Sequence, residues 1–189
     1  MTSPVPASAA SPPALRDCVA CACILAWRED TLALERALAE EGFRVEVLRP
    51  TYTDREMGFS RVACCLLNHR GAWARCAAQD GLWMVVEADF VPCRGLGSLP
   101  LPFPPELRNR AWAWLYAGGP RLYEWWPGGF LRGHACTMVA GVMGPEIAQA
   151  LLAFADAELA RHGPEMLSPW DTYLQFELRK KGMLSFFPT

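Results

Sequence analysis

The sequence has no excess of basic residues. Its 189 residues contain 18 Lys and Arg against 20 Asp and Glu, which gives a formal net charge of −2 at pH 7. Proteins that bind phosphate backbones need a positive surface potential. We therefore expect no nucleic-acid partner.

The sequence also lacks a hydrophobic run long enough to cross a membrane. Its apolar segment 18–27 has about half the length that a transmembrane helix requires. The basic region that opens a signal peptide is not evident before it. We expect neither a transmembrane segment nor an export signal, and we predict a cytoplasmic protein.

A third missing feature is the glycine-rich loop of dinucleotide-binding enzymes. No Gly-x-Gly-x-x-Gly follows the first predicted strand, where the chain reads Trp-Arg-Glu-Asp over 27–30. Such side chains leave no room for a pyrophosphate against the backbone. A dinucleotide-dependent oxidoreductase is therefore the weakest alternative for this chain.

Cysteine, by contrast, is plentiful, with eight in the chain. Several lie inside apolar runs, as Cys23 and Cys65 do, where a reduced thiol behaves as a small buried hydrophobe. We predict free thiols, which fits a reducing compartment. The Cys18-x-x-Cys21 pair has zinc-like spacing, but no second pair of ligands follows it at the usual distance.

The length suits a single domain. The first residues are mostly Pro, Ala and Ser, so 1–16 is predicted to be a flexible leader and 17–189 one domain. Hydrophobic periodicity predicts strands at 18–26, 43–48, 82–86, 111–117 and 135–142, and helices at 31–41, 60–78, 145–161 and 169–181. Ser168 is the expected N-cap of the last helix. The opening β-α-β-α-β order predicts an α/β fold with a mostly parallel central sheet flanked by helices.

Glu87-x-Asp89 is the sharpest chemical signal in the chain. It follows the buried strand 82–86, and ligands of open α/β sheets bind beyond the carboxyl ends of strands. Two carboxylates at this spacing can both turn toward one Mg²⁺ or Mn²⁺ ion. The alternative is a pair of solvated acids in a turn.

Four further residues are candidates for the site. Asn68 and His69, on the second helix, can contact a phosphate or ribose, or His69 can be an ordinary hydrogen-bonded histidine. Asp171 can be a general base, or it can simply complement the helix dipole. His134 can line a ligand pocket or merely cap a turn.

An aromatic segment follows Gly118-Gly119-Pro120, and its rings can stack on sugars or belong to the core. The residues concerned are Tyr123, Trp125, Trp126 and Phe130.

Six short motifs, taken in order, resemble the family 25 glycosyltransferases, which include lipooligosaccharide and procollagen galactosyltransferases. The strand 19–26 resembles the opening of that family, 65–73 its Cys-x-x-Ser-His-x-x-x-Trp helix, and 85–90 its Leu-Glu-Asp-Asp segment. The segments 114–118, 133–135 and 168–171 are similar to its Tyr-Leu-Gly, Thr-His-Ala-Tyr and Pro-x-Asp motifs.

The resemblance implies a GT-A-like nucleotide-diphospho-sugar transferase fold and a divalent cation, Mn²⁺ or Mg²⁺. It implies transfer of a sugar, typically galactose, from a UDP-sugar to a glycan acceptor, as in lipopolysaccharide biosynthesis. A lipid-linked acceptor would bring peripheral membrane association. Glu87 and Asp89 would bind the metal, and Asp171 would be catalytic. The donor-binding residues would be Arg28, Asn68, His69, Glu87 and His134.

The chain departs from the family pattern at informative positions. Ala88 stands where the family has an Asp, Asn68 replaces a Ser, and 61–64 replaces a Gly-Glu-x-Gly stretch. These changes support an alternative hypothesis, a catalytically degenerate relative that binds a nucleotide-sugar or a partner protein.

Overall fold

A computed structural model describes residues 12–116 and 118–189, and its strands form one eight-stranded sheet. The helices are α1 Leu15–Cys18, α2 Leu32–Glu40, α3 Arg61–Ala77, α4 Pro145–His162 and α5 Trp170–Lys180. The strands are β1 Val19–Leu25, β2 Val45–Leu48, β3 Leu82–Glu87, β4 Ala111–Trp114, β5 Arg121–Trp126, β6 Phe130–His134, β7 Ala140–Met143 and β8 Leu184–Phe187.

The strand order is β2-β1-β3-β7-β4-β8-β6-β5. Three neighbouring pairs are parallel, namely β2–β1, β1–β3 and β4–β8, and the other four are antiparallel. The prediction of an α/β fold is confirmed, but the prediction of a mostly parallel sheet is wrong. A helical crossover fixes a parallel direction only for β1, β2 and β3, whereas loops and a hairpin join most of the later strands.

Successive side chains of the strands point to opposite faces of the sheet, and each face carries a hydrophobic layer. On the first face, Cys23, Val85 and Trp114 pack with residues of α3, α4 and α5. On the other face, Ile24 and Val86 pack with residues of α2 and of the loop before β4. The sheet is thus covered on both sides, which explains why β1 and β3 are continuous apolar runs.

The predicted leader is too long at its carboxyl end. Residues 1–11 of that prediction lie outside the described residues, but Leu15 is fully buried. Its backbone N–H donates to the Leu99 carbonyl at 2.8 Å, and Ala14 pairs with Pro100. The ordered fold therefore begins before residue 16, because one large apolar side chain at Leu15 anchors this segment.

The second half of the chain departs most from the predicted elements. Segment 122–133 is a β-hairpin of β5 and β6, whose turn uses Gly128 and Gly129 at φ of +89° and +85°. The predicted strand 135–142 exists only as β7, and β8 was not predicted. Ser168 does not cap α5, whose N-cap is Pro169.

Two predictions about cysteines and membranes can be compared with the fold. All eight cysteines are free thiols, as predicted. In the part of the chain that the structure describes, no helix is both long enough and apolar enough to pass through a bilayer.

Candidate active site

Helix α3 carries one wall of the site. It begins at a true N-cap, because Ser60 Oγ accepts a hydrogen bond from the Ala63 backbone N–H at 3.1 Å. Cys65, His69 and Trp73 follow at intervals of four residues and therefore lie along one face of the helix. That face meets the end of β3.

Strand β3 supplies the opposite wall at its last residue. Leu82 to Val86 are buried, and Glu87 is the first side chain of the strand to reach the surface. Its backbone N–H donates to the Val139 carbonyl at 2.8 Å, and its carbonyl accepts from the Phe90 N–H at 3.0 Å. The chain thus turns at Ala88 and Asp89, so Glu87 ends the strand and Asp89 lies just beyond it, whereas the predicted strand ended at residue 86.

His69 holds the Glu87 carboxylate. Its Nε2 donates to Glu87 Oε1 at 2.8 Å, across 18 residues of sequence. The imidazole is buried against the rings of Trp73 and Trp170, whose centroids lie 5.4 and 5.2 Å from its own. Its Nδ1 has no hydrogen-bond partner among the described residues. A side chain so enclosed fixes the orientation of Glu87.

Cys65 contacts the same carboxylate, with Sγ 4.0 Å from Glu87 Oε1. Burial raises the pKa of the Cys65 thiol to about 12, and the negative charges of Glu87 and Asp171 add to this effect. The thiol is therefore uncharged at neutral pH in the absence of a cation.

Cys65, His69 and Glu87 line a cleft of about 630 Å³. Four of the residues predicted to form a site lie on it, namely Asn68, His69, Glu87 and Asp89. The other residues on the cleft are Leu25, Trp27, Glu29, Tyr52, Met57, Phe59, Arg61, Cys64, Cys65 and Ala88.

The rim of the cleft contains aromatic residues that the sequence analysis did not identify. Tyr52 donates a hydrogen bond from its hydroxyl to Asn68 Oδ1, and the Trp27 ring lies 6.4 Å from the Tyr52 ring. Arg49 stabilises this rim, because its guanidinium donates to the carbonyls of Trp27 and Glu29 at 3.2 and 2.9 Å. No sequence pattern marked Trp27, Tyr52 or Arg49, since they lie in irregular segments next to strands.

Arg28 lies beside the cleft but does not line it. Its guanidinium carbon sits 4.1 Å from the centroid of the Trp27 ring, a typical cation–π distance. Arg28 is not among the residues that line the cleft, and its role in donor binding stays a prediction.

Asp171 lies in the first turn of α5, near the cleft but not among its lining residues. The Thr172 N–H donates to its Oδ1 at 2.9 Å. Burial raises the pKa of Asp171 above its usual value, and the nearby negative charge of Glu87 raises it further. A carboxylate with a raised pKa is a better proton acceptor than an ordinary surface Asp.

His134 is not brought to the cleft. Its Nδ1 is hydrogen-bonded to the Tyr123 hydroxyl, and its ring lies 6.2 Å from Phe176 on α5. Burial lowers the pKa of His134, and the positive charges of Arg179 and Arg121 lower it further. The imidazole is therefore neutral at pH 7 and belongs to a separate cluster.

The four aromatic residues singled out in the hairpin divide between surface and core. Trp125 is 68% exposed, whereas Trp126 and Phe130 pack edge-on against the buried Phe186. Among the described residues, none of the four lines the cleft.

The cleft residues fit a divalent cation bound through carboxylates. Both Glu87 and Asp89 line the cleft. Oε1 of Glu87 accepts from His69, whereas Asp89 is exposed to solvent. Oxygen ligands of this kind are those that Mg²⁺ and Mn²⁺ prefer.

No protein-family model and no curated protein sequence matches this chain. Among solved structures, the fold is similar to that of a glycosyltransferase involved in the glycosylation of the major capsid of PBCV-1. The TM-score is 0.49 and the sequence identity 8%, over 90% of this chain and 81% of the other. A likeness of this size says nothing about activity, so the resemblance to family 25 glycosyltransferases rests on the sequence motifs.

Proposed function

We propose that this protein is a glycosyltransferase that moves a sugar from a UDP-sugar to a glycan acceptor. The observation that carries the proposal is the convergence of two motifs on one cleft. The α3 motif contributes Asn68 and His69, and the β3 motif contributes Glu87 and Asp89. His69 and Glu87, one from each motif, lie 18 residues apart in the sequence.

The cleft supplies the parts that binding of a nucleotide diphosphate requires. Glu87 and Asp89 would hold Mn²⁺ or Mg²⁺, and that cation would neutralise the charge of the diphosphate leaving group. Asn68 and Tyr52 offer an amide and a hydroxyl to the donor, and the half-exposed Trp27 ring offers a flat apolar surface. A volume of about 630 Å³ lies within the usual range for small-molecule sites.

Asp171 is the residue that we propose as the general base for the acceptor hydroxyl. Its raised pKa favours proton uptake, and the negative charge of Glu87 contributes to that rise. Arg28 and His134 lie outside the cleft, so the proposal does not depend on donor contacts from them.

The finer assignments follow only from the resemblance. The proposal includes a GT-A-like fold, galactose as the sugar, and a place in lipopolysaccharide or related glycan biosynthesis. A lipid-linked acceptor would bring the protein to a membrane surface without a transmembrane segment.

A second candidate function is binding without catalysis. It is favoured by the contact in which His69 engages Glu87 Oε1, and by Ala88, which stands where a further carboxylate would sit. A protein of this kind would bind a nucleotide-sugar but would not turn it over.

A thermal-shift screen of UDP-, GDP- and CMP-sugars with and without Mn²⁺ tests the proposal. We expect stabilisation by a UDP-sugar that depends on Mn²⁺ and disappears in Asp89→Asn. The matched control is Asp80→Asn, an exposed Asp near the opposite end of β3, which should respond like wild type. If no nucleotide-sugar shifts the melting temperature at millimolar concentration, the proposal is wrong; binding without transfer would favour the second candidate.

A further inference from the structure

Three different metal-ligating groups lie together at the base of the cleft. Cys65, His69 and Glu87 each offer one ligand atom, and these atoms all lie within 4.8 Å of one another. All three residues line the cleft. Two of them are four residues apart on α3, and the third ends β3, so rigid elements position the whole set.

The spacing of these atoms is close to that of a tetrahedral zinc site. Bond lengths of about 2.3 Å to sulfur and about 2.0–2.1 Å to nitrogen and oxygen imply ligand atoms about 3.3–3.6 Å apart. Here Sγ and Nε2 lie 4.0 and 2.8 Å from Glu87 Oε1. Rotamer-scale shifts would bring the three atoms to the ideal separations.

We propose that Cys65, His69 and Glu87 form a binding site for a thiophilic divalent cation of the Zn²⁺ type. A thiolate and an imidazole select zinc-like ions over Mg²⁺ or Mn²⁺. Binding forms a bond from the cation to Sγ and releases the thiol proton to solvent. It also replaces the hydrogen bond between His69 and Glu87 with two metal bonds, and the His69 proton moves from Nε2 to Nδ1, so that Nε2 ligates as a neutral imidazole.

The site would be of the open type. Three protein ligands leave a fourth position, which catalytic zinc sites use for water or substrate. Because all three ligands line the cleft, that position faces the space in which a ligand would bind. An anionic oxygen, such as that of a phosphate, is the chemical class that such a position accepts.

This site does not depend on the proposed glycosyl transfer, but it shares Glu87 with it. A zinc-type ion bound to Cys65 would also bind the Glu87 carboxylate, which the proposed function assigns to Mn²⁺. Zinc is therefore expected to weaken Mn²⁺-dependent UDP binding in wild type, and to do so much less in Cys65→Ser.

Titration of the full-length protein with Co²⁺ tests the site, because cobalt takes zinc positions and gives a thiolate charge-transfer band in the near ultraviolet. We expect one Co²⁺ per chain with this band in wild type. Cys65→Ser should lose the band and bind at least about 100-fold more weakly, since even substitutions behind the ligands cost 10–100-fold. Cys64→Ser is the matched control, since Cys64 lies one residue earlier and its Sγ faces the carbonyls of Glu56 and Phe59; it should behave as wild type.

The absence of a thiolate band in wild type, or a band that survives in Cys65→Ser, would overturn the zinc-type site. Circular dichroism verifies that the serine variants are folded. If Cys65→Ser is unfolded, Glu87→Gln takes its place, because Gln removes the charge of this partly exposed ligand with little change of shape. Unchanged Co²⁺ affinity in Glu87→Gln would equally refute the site. Asp89→Asn separates the two proposals, since it should abolish Mn²⁺-dependent UDP binding and leave the Co²⁺ spectrum intact.

Discussion

Replacing His69 with Ala tests the central packing contact of the site. The imidazole is fully buried against Trp73 and Trp170, so the variant leaves a cavity that costs about 3 kcal/mol. It also loses the hydrogen bond to Glu87, which is worth about 1.5 kcal/mol for a charged partner. The buried Nδ1 has no hydrogen-bond partner in the described part of the chain, so its removal raises the free energy of unfolding by about 1 kcal/mol. We expect a net loss of about 3.5 kcal/mol in the free energy of unfolding.

Guanidinium chloride unfolding followed by tryptophan fluorescence measures this loss. In a protein of this size, a loss of about 3.5 kcal/mol corresponds to a fall of about 7–14 °C in melting temperature. His162→Ala is the control, because His162 is on the surface of α4, 3.5 Å from Glu158, and should cost less than about 1 kcal/mol. Similar losses in the two variants would refute the description of His69 as a buried support of Glu87.

Further predictions concern charge, backbone and thiols. Because burial raises the pKa of Asp171, the contribution of this residue to stability falls as pH rises through its folded-state pKa. Asp171→Asn should therefore be more stable than wild type at neutral pH. Denaturation curves should show this gain vanish below the ordinary Asp pKa of about 3.9. Gly97→Ala should lower the free energy of unfolding by about 2 kcal/mol or more in the same assay, because a Cβ there would lie 1.9 Å from the Glu41 carbonyl oxygen. Gly58→Ala is the control, because the space around Gly58 is open, and it should change stability by less than about 0.5 kcal/mol. Mass spectrometry after alkylation should show the exposed Cys93 reacting first in the native protein and all eight thiols reacting after unfolding without reductant; a protected pair of cysteines would contradict the free-thiol state.

The first half of the fold could be predicted from the sequence because its patterns are local. β1 and β3 are continuous apolar runs, and α3 shows the helical spacing that places Cys65 and His69 on one face. The direction of β7 could not be predicted, since nothing local says that it runs antiparallel between β3 and β4. β8 is only four residues long, which is too short for a clear periodic signal.

Four of the residues singled out from the sequence line the cleft, but the contacts between them could not be predicted. Glu87 and Asp89 mark the end of a buried strand, and that position alone indicated a site. The pairing of His69 with Glu87 joins two elements across 18 residues, and sequence spacing carries no information about it. The sequence left two roles open for His134, lining a pocket or capping a turn, and the structure places it beside Tyr123, outside the cleft.

Calorimetric titration of UDP into the protein tests the central claim most directly, namely that the carboxylates of Glu87 and Asp89 bind a nucleotide diphosphate through a divalent cation. We predict binding in Mn²⁺ that is lost in EDTA and in Asp89→Asn, and that is retained in Asp80→Asn. UDP binding of equal affinity in EDTA and in Mn²⁺ would contradict the claim.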